Sequence, residues 1–546
     1  MSEGGSRAAT APAQRAGQGS DGCADLAREL LATMALRPWG EVAPSVYETG
    51  RLVVVAPRLA GHAERVAFLV RTQRADGAWG PPEGYALVPT LSATDALLAA
   101  LADGSVPAPA RPALADAAGR GLRALSVLLA ANSAVPDTPA ADLIVPALVD
   151  SINARTSGPE AALSAPHPLS LPTGTDRRRL TAVRAAHAAG AELPPKLAHF
   201  GELLHGPAQR PPRSHAAEPT AVGASPAATA AWLAAAGPDA DGRGARAFLE
   251  RVIGEGDGLV PCPMPITVFE RAWALGGLSR AGIAVQPPKS VLASLTDAVG
   301  PAGVATGAGL PADADTTAVT LYALGRLGRP VEPTSLWAYE TADGFCTWPG
   351  EDGFSVTTNA HVLDALAQHA VREPGAGARY RRAVDRLARV LRERQEADGS
   401  WHDRWHASPY YATACCALAL AESTSDADRA GTLGRAVRWV LANQRDDGSW
   451  GRWEGTAEET AYALQILLAV PSDEPAVAVA VLRGHTYLRT HVGRREHPPL
   501  WYGKELYCPT TIVRAAVLAA VHIAHRRLDN RRTGGHVVTG RPKSAT

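Results

Sequence analysis

Residues 444–451 read QRDDGSWG, and two near copies occur in the chain, QRADGAWG at 73–80 and QEADGSWH at 395–402. Each copy follows an apolar helical pattern and precedes another. The Asp-Gly pair favours a tight turn with positive φ, glutamine can bond nearby backbone groups, and tryptophan can pack the turn onto the next helix. The repeat therefore predicts stacked helical hairpins, and we interpret its tryptophans as structural rather than catalytic.

The sequence around these repeats is helical. Apolar residues recur at i, i+3, i+4 and i+7 in ATDALLAALAD (93–103) and AHVLDALAQHA (360–370), whereas strand-like alternation is scarce. The run LVVVAP (52–57) is short enough to be a helical turn. Pro-rich stretches at 204–219 and 284–288 separate the early repeat from the two late ones. The pattern predicts an all-α chain with two helical domains.

Charge and cysteine usage narrow the classes of function. Lys plus Arg and Asp plus Glu both number 54, so no net field attracts nucleic acid or anionic lipid. The apolar run VRAAVLAAVHIA is far shorter than the ~20 residues of a membrane span, and we expect no integral membrane segment. The cysteines have no metal-binding spacing, which predicts buried thiols in a reducing cytoplasm; they are Cys23, Cys262, Cys346, Cys415, Cys416 and Cys508.

The two ends of the chain are expected to be disordered. Residues 1–22 are rich in Ala, Gly, Ser and Arg and lack the apolar segment of a secretory signal. Residues 529–546 are rich in Gly and Arg. We therefore predict a disordered leader at 1–22 and a disordered tail at 529–546.

An acidic pair stands at the start of one predicted helix. Residues 310–328 read LPADADTTAVTLYALGRLG, with Asp313 and Asp315 two residues apart. Carboxylates at this position can accept N–H bonds from the first helical turn and are favoured by its positive end. From the residues alone, helix capping is one interpretation and a chemical role is the other.

Several further segments, taken in chain order with DADTT and the turns, resemble the class II terpene cyclases. This group includes bacterial copalyl diphosphate synthases and, more distantly, squalene-hopene cyclases. The segments are PSVYETG (44–50), GASPAATAAWL (223–233), VFERAWALGGLSRAGI (268–283), TNAHVLDAL (358–366), WHASPYYAT (405–413), GTAEETAYALQ (455–465) and LWYGKELYCPTTIVRA (500–515). The resemblance covers roughly residues 25–525.

The resemblance implies two α/α-barrel domains. A first helix near 24–37 would belong to the β domain, a γ domain at 40–286 would be inserted after it, and residues 287–528 would complete the β domain with the catalytic acid. The DDxxD and NSE metal motifs of class I domains do not occur in the chain. The diphosphate of the substrate is therefore expected to survive the reaction.

The resemblance also assigns the acidic pair. In the family pattern DxDD the middle Asp protonates a terminal alkene, which makes Asp315 the acid here. Burial and the like charge of Asp313 would raise the pKa of the Asp315 carboxyl and keep it protonated. A hydrogen bond to the Asp315 anion would restore its strength as an acid. His361 is the first candidate for that bond and Asn359 the second. Thr316 replaces the fourth Asp, and this DxDTT form resembles drimane-forming cyclases of C15 farnesyl diphosphate more than the C20 copalyl type.

The carbocation and the diphosphate need further groups. Carbocations require a dry cavity with π faces, and the candidates from family motifs are Trp348, Phe354, Trp405, Tyr410, Tyr411, Trp501 and Tyr502. The family binds the diphosphate with Mg²⁺ and basic residues. Asp137 and Asp142 stand where an acidic EDxxD-like stretch is expected, in a region depleted in acids. Lys504 is a candidate diphosphate contact, and its alternative is a solvated lysine.

The favoured hypothesis is protonation-initiated bicyclisation of a linear prenyl diphosphate, namely farnesyl diphosphate to drimenyl diphosphate. The alternative is geranylgeranyl diphosphate to copalyl diphosphate. A downstream phosphatase or class I synthase would then use the product. The rival from another class is a non-catalytic helical-repeat binding protein, because helical stacks often serve as scaffolds.

Overall fold

A computed structural model of the chain describes residues 20–534, except 105, 132–134, 158–160, 162, 164–166, 205–219, 237–241, 352, 374, 376, 424–425, 470–471 and 473. The side chains of 20–21, 426–430 and 531–534 also lie outside the description. Most of the predicted leader and tail therefore falls outside the described residues. The prediction of disorder was wrong at 20–22, which lie in the helix Ser20–Leu36, and at 529–534, which lie in the helix Thr510–Gly534.

The described residues form twenty α-helices. Helices α1 to α10 are Ser20–Leu36, Val46–Val55, His62–Arg71, Leu87–Ala102, Arg111–Ala130, Ala141–Thr156, Arg178–Ala188, Gly201–Leu204, Pro226–Ala236 and Arg243–Glu255. Helices α11 to α20 are Thr267–Arg280, Lys289–Thr296, Ala314–Arg326, Val356–Arg372, Ala378–Glu393, Pro409–Ser423, Asp426–Ala442, Ala457–Leu468, Pro475–Arg489 and Thr510–Gly534. The run 52–57 ends α2, as its length suggested.

The DGxW turns have the structure that the repeat predicted. The tryptophans Trp79, Trp401 and Trp450 are fully buried, and each indole N–H donates to the backbone carbonyl ten residues earlier at 2.7–2.8 Å. The glycines Gly77, Gly399 and Gly448 have positive φ. Each glutamine amide, at Gln73, Gln395 and Gln444, bonds the turn glycine carbonyl and a carbonyl of the second α-helix after the turn. Side-chain bonds thus connect each turn to the helix before it and to the second helix after it.

The helices close into two rings, which confirms the α/α-barrel prediction. In the C-terminal barrel, α11, α13, α14, α16, α18 and α20 each contact the next, and α20 returns to α11. In the N-terminal barrel, α2, α4, α6, α8 and α9 close in the same way. The remaining helices pack outside these rings, and α1 lies against α20 in the core of the C-terminal barrel.

The boundary predicted at 286 needs correction. Helix α11, placed by the sequence in the inserted domain, belongs to the C-terminal core through Ala272, Leu275 and Leu278. Its apolar face packs on α13 and α20, so the boundary lies just before Ile266. The Pro-rich run at 284–288 therefore marks a loop within one barrel and not a junction between two.

Two short antiparallel hairpins interrupt the helices. β1 (Val304–Ala305) pairs with β2 (Ala312–Asp313), and β3 (Trp501–Tyr502) pairs with β4 (Leu506–Tyr507). The glycine-rich segment 300–309 supplies β1, and the pairing of β1 with β2 holds Asp313 at the start of α13.

Two other predictions concern the burial of the cysteines and the absence of an integral membrane segment. Five cysteines are buried as free thiols, whereas Cys346 is half-buried. Among the described residues, one helical stretch, Glu83–Ala102, is long and apolar enough to cross a membrane. Its apolar window is 89% buried, as in the core helix of a folded domain.

Candidate active site

A cavity of about 760 Å³ lies where the two barrels meet. The N-terminal barrel contributes Pro263 and residues from 135–142, 174–179 and 196–200 to its wall, and the C-terminal barrel contributes the rest. The size is in the range of small-molecule sites. Both carboxylates of the DADTT segment line this cavity.

Asp315 has the surroundings of an acid directed into an enclosed space. It lies in the first turn of α13, and its side chain is 16% exposed. Because α13 and α14 pack together, His361 Nδ1 lies 2.7 Å from Asp315 Oδ1, the contact that the sequence suggested. Burial alone would lower the pKa of His361, but the Asp315 carboxylate raises it well above its ordinary value. The imidazole can therefore donate a charge-assisted hydrogen bond to the conjugate base.

Asp313 satisfies the capping interpretation. Its Oδ1 accepts from the backbone N–H of Thr316 at 2.6 Å, and its Oδ2 accepts from the Thr316 hydroxyl at 2.9 Å. Burial, and then the charge of Asp315, raises the pKa of Asp313 to about 7. The two carboxylates thus divide the two roles: Asp313 caps the helix, while Asp315 is bonded to His361.

Asn359 is not a hydrogen-bond partner of Asp315. Its side-chain carbonyl accepts from Phe345 N at 2.8 Å, and its amide donates to Phe345 O at 2.9 Å and to Ser355 O at 2.8 Å. These bonds occupy the side-chain carbonyl and both N–H donors of Asn359. They hold Phe345, in the loop before α14, against the helix. The prediction failed because Asn359 and His361 are two residues apart on a helix and therefore face different directions.

Five of the seven predicted aromatic residues line the cavity: Trp348, Trp405, Tyr411, Trp501 and Tyr502. The other two do not. The Phe354 ring lies under Arg394 at 3.8 Å, and the Tyr410 ring packs on Trp439 at 4.6 Å. Neighbouring residues on a helix point about 100° apart, so the YY pair could not supply two rings to one wall.

Sequence reasoning missed several aromatic residues of the same wall. Phe200, Phe269 and Tyr507 line the cavity. Trp273 supports it, because its Nε1–H donates to the Tyr411 hydroxyl at 2.9 Å and its ring lies 5.3 Å from that of His361. Phe269, Trp273 and Tyr507 lie in segments that carry the family resemblance, so the resemblance could have identified them. Phe200 lies outside those segments, and no sequence pattern indicated it.

Lys504 is neither a solvated lysine nor a contact for a diphosphate. Its side chain is fully buried, and Nζ lies 2.6 Å from Glu48 Oε1 and 2.8 Å from Glu202 Oε1. The neighbouring Gly503 lines the cavity, but Lys504 does not. Two carboxylates in the N-terminal barrel thus hold the ammonium away from the cavity.

The predicted magnesium ligands lie at the cavity wall, and each is paired with an arginine. Asp137 is 77% exposed and pairs with Arg404 at 3.1 Å, and Asp142 is 45% exposed and pairs with Arg179 at 2.7 Å. Within the described residues there is no group of three or more His, Cys, Asp or Glu side chains that could hold a metal ion. Arginine pairs leave these two carboxylates poorly suited to bind Mg²⁺ by themselves.

Known proteins match this chain closely. The Squalene-hopene cyclase C-terminal domain family matches residues 351–492. An ent-copalyl diphosphate synthase from Streptomyces sp. (strain KO-3988) is 42% identical over 92% of this chain and 96% of its own length. A labda-7,13-dienyl diphosphate synthase from Streptomyces clavuligerus is also 42% identical, over 92% of this chain and 93% of its own length.

A solved structure extends the likeness to the fold. The ent-copalyl diphosphate synthase from Streptomyces platensis superposes with a TM-score of 0.85 at 42% identity, covering 92% of this chain and 99% of that one. The identity extends over nearly the full length of both chains, which includes the two barrels and the cavity between them. The chain belongs to the class II terpene cyclases.

Proposed function

We propose that this enzyme converts geranylgeranyl diphosphate into a bicyclic diphosphate of the copalyl type and retains the diphosphate. The observation that carries the proposal is Asp315 in the wall of an aromatic cavity with His361 at 2.7 Å. The relatives named above are copalyl and labdadienyl diphosphate synthases, whose products are C20 compounds. They favour the C20 substrate over the C15 substrate that Thr316 had suggested.

Thr316 lines the cavity, and its hydroxyl donates to the capping residue Asp313 and lies 3.1 Å from the Thr306 hydroxyl. This hydroxyl is therefore engaged at the N-cap of α13. Because these contacts do not favour one substrate length over another, the C20 proposal rests on the relatives.

In the proposed reaction Asp315 gives its proton to the terminal alkene. The carboxyl O–H bond breaks, a C–H bond forms, and the π electrons of the chain close two rings in turn. The carboxylate left behind keeps the hydrogen bond from His361. Rings such as Trp501, Tyr411 and Phe269 face the cavity, and each well-placed ring stabilises a cation by about 0.5–2 kcal/mol. Loss of a proton from the final cation ends the reaction.

Basic residues at the cavity wall suit the diphosphate. Arg179, Lys196 and Arg404 line the cavity. Arg179 pairs with Asp142, and Arg404 pairs with Asp137 and Glu351, so the diphosphate would compete with these carboxylates for the two arginines. The indole N–H groups of Trp348 and Trp405 are buried without a hydrogen-bond acceptor among the described residues, and the centroids of the two rings lie 5.4 Å apart. A diphosphate supplies the acceptor oxygens that these donors lack. We therefore assign these five side chains to the diphosphate in place of Lys504.

The test offers the purified enzyme geranylgeranyl and farnesyl diphosphates in parallel, with Mg²⁺, followed by dephosphorylation and identification of the alcohols. We expect a bicyclic C20 alcohol and little C15 conversion. Asp315→Asn should keep the fold and lose turnover by a factor on the order of a hundred to ten thousand. Predominant drimenol from the C15 substrate would overturn the substrate assignment, and an active Asp315→Asn variant would overturn the assignment of the acid.

The location proposed for this reaction is the cytoplasm. The cysteines are unpaired thiols, which fits a reducing compartment. Fractionation of the producing cells, with activity followed in each fraction, tests this.

A further inference from the structure

The turn of the β3–β4 hairpin is anchored in the opposite barrel. Lys504 Nζ bonds Glu48 Oε1 at 2.6 Å, Glu202 Oε1 at 2.8 Å and Ser225 Oγ at 2.8 Å. An ammonium has three N–H donors, and three acceptors surround this one. The next residue, Glu505, accepts from the backbone N–H of Tyr47 at 3.1 Å. The turn of a C-terminal hairpin is thus held by α2 and α8 of the N-terminal barrel.

The same hairpin carries part of the cavity wall. Trp501 and Tyr502 precede the turn, Tyr507 follows it, and all three line the cavity. Each strand is only two residues long. Because an isolated two-stranded hairpin is marginally stable at best, its position depends on its anchors.

Aromatic contacts connect this hairpin to the acid. The Trp501 ring lies 4.6 Å from the Tyr411 ring. The Tyr411 hydroxyl accepts from Trp273 Nε1 at 2.9 Å, and the Trp273 ring lies 5.3 Å from that of His361. A displacement at the turn would therefore change the position of the aromatic wall relative to the Asp315–His361 pair.

We propose that Lys504 is a positioning residue that fixes the aromatic hairpin against the N-terminal barrel and thereby sets the fold of the substrate in the cavity. This inference rests on the proposed cyclisation. Ring closure requires the alkenes to be held close to the geometry of reaction, and small displacements of the wall change both the rate and the cation that forms. Lys504 acts through Trp501, Tyr502 and Tyr507 and touches no substrate.

The experiment compares two lysines. Lys504→Met removes the anchor, and Lys196→Met removes a positive charge at the cavity wall. For Lys504→Met we expect kcat to fall by about tenfold to a hundredfold, KM to change by less than about threefold, and the share of incompletely cyclised products to rise. For Lys196→Met we expect a higher KM and the wild-type product ratio.

Glu202→Gln covers the case in which Lys504→Met fails to fold. The glutamine carbonyl can still accept from Nζ, so the variant should fold and show the same change of product ratio to a smaller extent. Product ratio does not depend on the folded fraction, so a purely structural lysine would not move it. Wild-type product ratios in both variants, or a KM effect like that of Lys196→Met, would overturn this inference alone. A folded wild-type enzyme that converts neither prenyl diphosphate would overturn the proposed function and this inference together.

Discussion

Removal of the hydrogen bond between His361 and Asp315 should lower kcat by a measurable factor. His361 Nδ1 lies 2.7 Å from Asp315 Oδ1, and the two side chains are only 10% and 16% exposed, so solvent screens the contact little. Hydrogen bonds to charged groups contribute about 1.5–3 kcal/mol. Because the bond is strongest once Asp315 has lost its proton, its removal raises the barrier to protonation by that amount. This corresponds to a loss of roughly 10- to 150-fold in kcat.

The variant is His361→Phe, which keeps a ring against Trp273, whose centroid lies 5.3 Å away. The assay measures turnover of geranylgeranyl diphosphate at saturation after dephosphorylation, with thermal unfolding as the check on fold. Asn359→Ala is the matched control on the same helix, because Asn359 bonds the Phe345 backbone and should affect stability more than rate. A folded His361→Phe enzyme within threefold of the wild-type kcat would refute the role of this bond.

Three further predictions concern other parts of the chain. Asp137→Asn combined with Asp142→Asn should leave kcat within about threefold, because both carboxylates pair with arginines; a large loss that extra Mg²⁺ reverses would contradict this. Because the pKa of buried Asp313 is raised to about 7, its contribution to stability is largest below about pH 4 and is lost as the pH rises towards 7. Asp313→Asn, which still caps the helix, should flatten that part of the melting temperature against pH, and an unchanged profile would disprove the shift. Gly448→Ala should destabilise the fold by about 1–3 kcal/mol in urea unfolding, since φ is +87° and the added Cβ would lie 2.9 Å from a carbonyl oxygen. Gly254→Ala, in a helix with open space, should stabilise by about 0.5–1 kcal/mol, and equal effects of the two would contradict the argument.

Sequence patterns predicted those features that depend on near neighbours. The DGxW repeat specified a turn with positive φ, a buried indole and a glutamine bonded to the backbone of the turn, because these groups lie within a few residues of one another. The capping role of Asp313 was open to the same reasoning. The family resemblance added the barrel fold, the contact between Asp315 and His361, and five of the seven aromatic residues predicted to line the cavity.

Features that join distant segments needed the tertiary structure. His361 and Asp315 are 46 residues apart; the family resemblance suggested their contact, but its 2.7 Å distance depends on the packing of α13 on α14. Lys504 was predicted to face the substrate, but Glu48 and Glu202 of the other barrel bury it. Local sequence fixes helices and turns because their hydrogen bonds are short in sequence. The direction of a side chain towards a cavity or into a core depends on what the rest of the chain places opposite it.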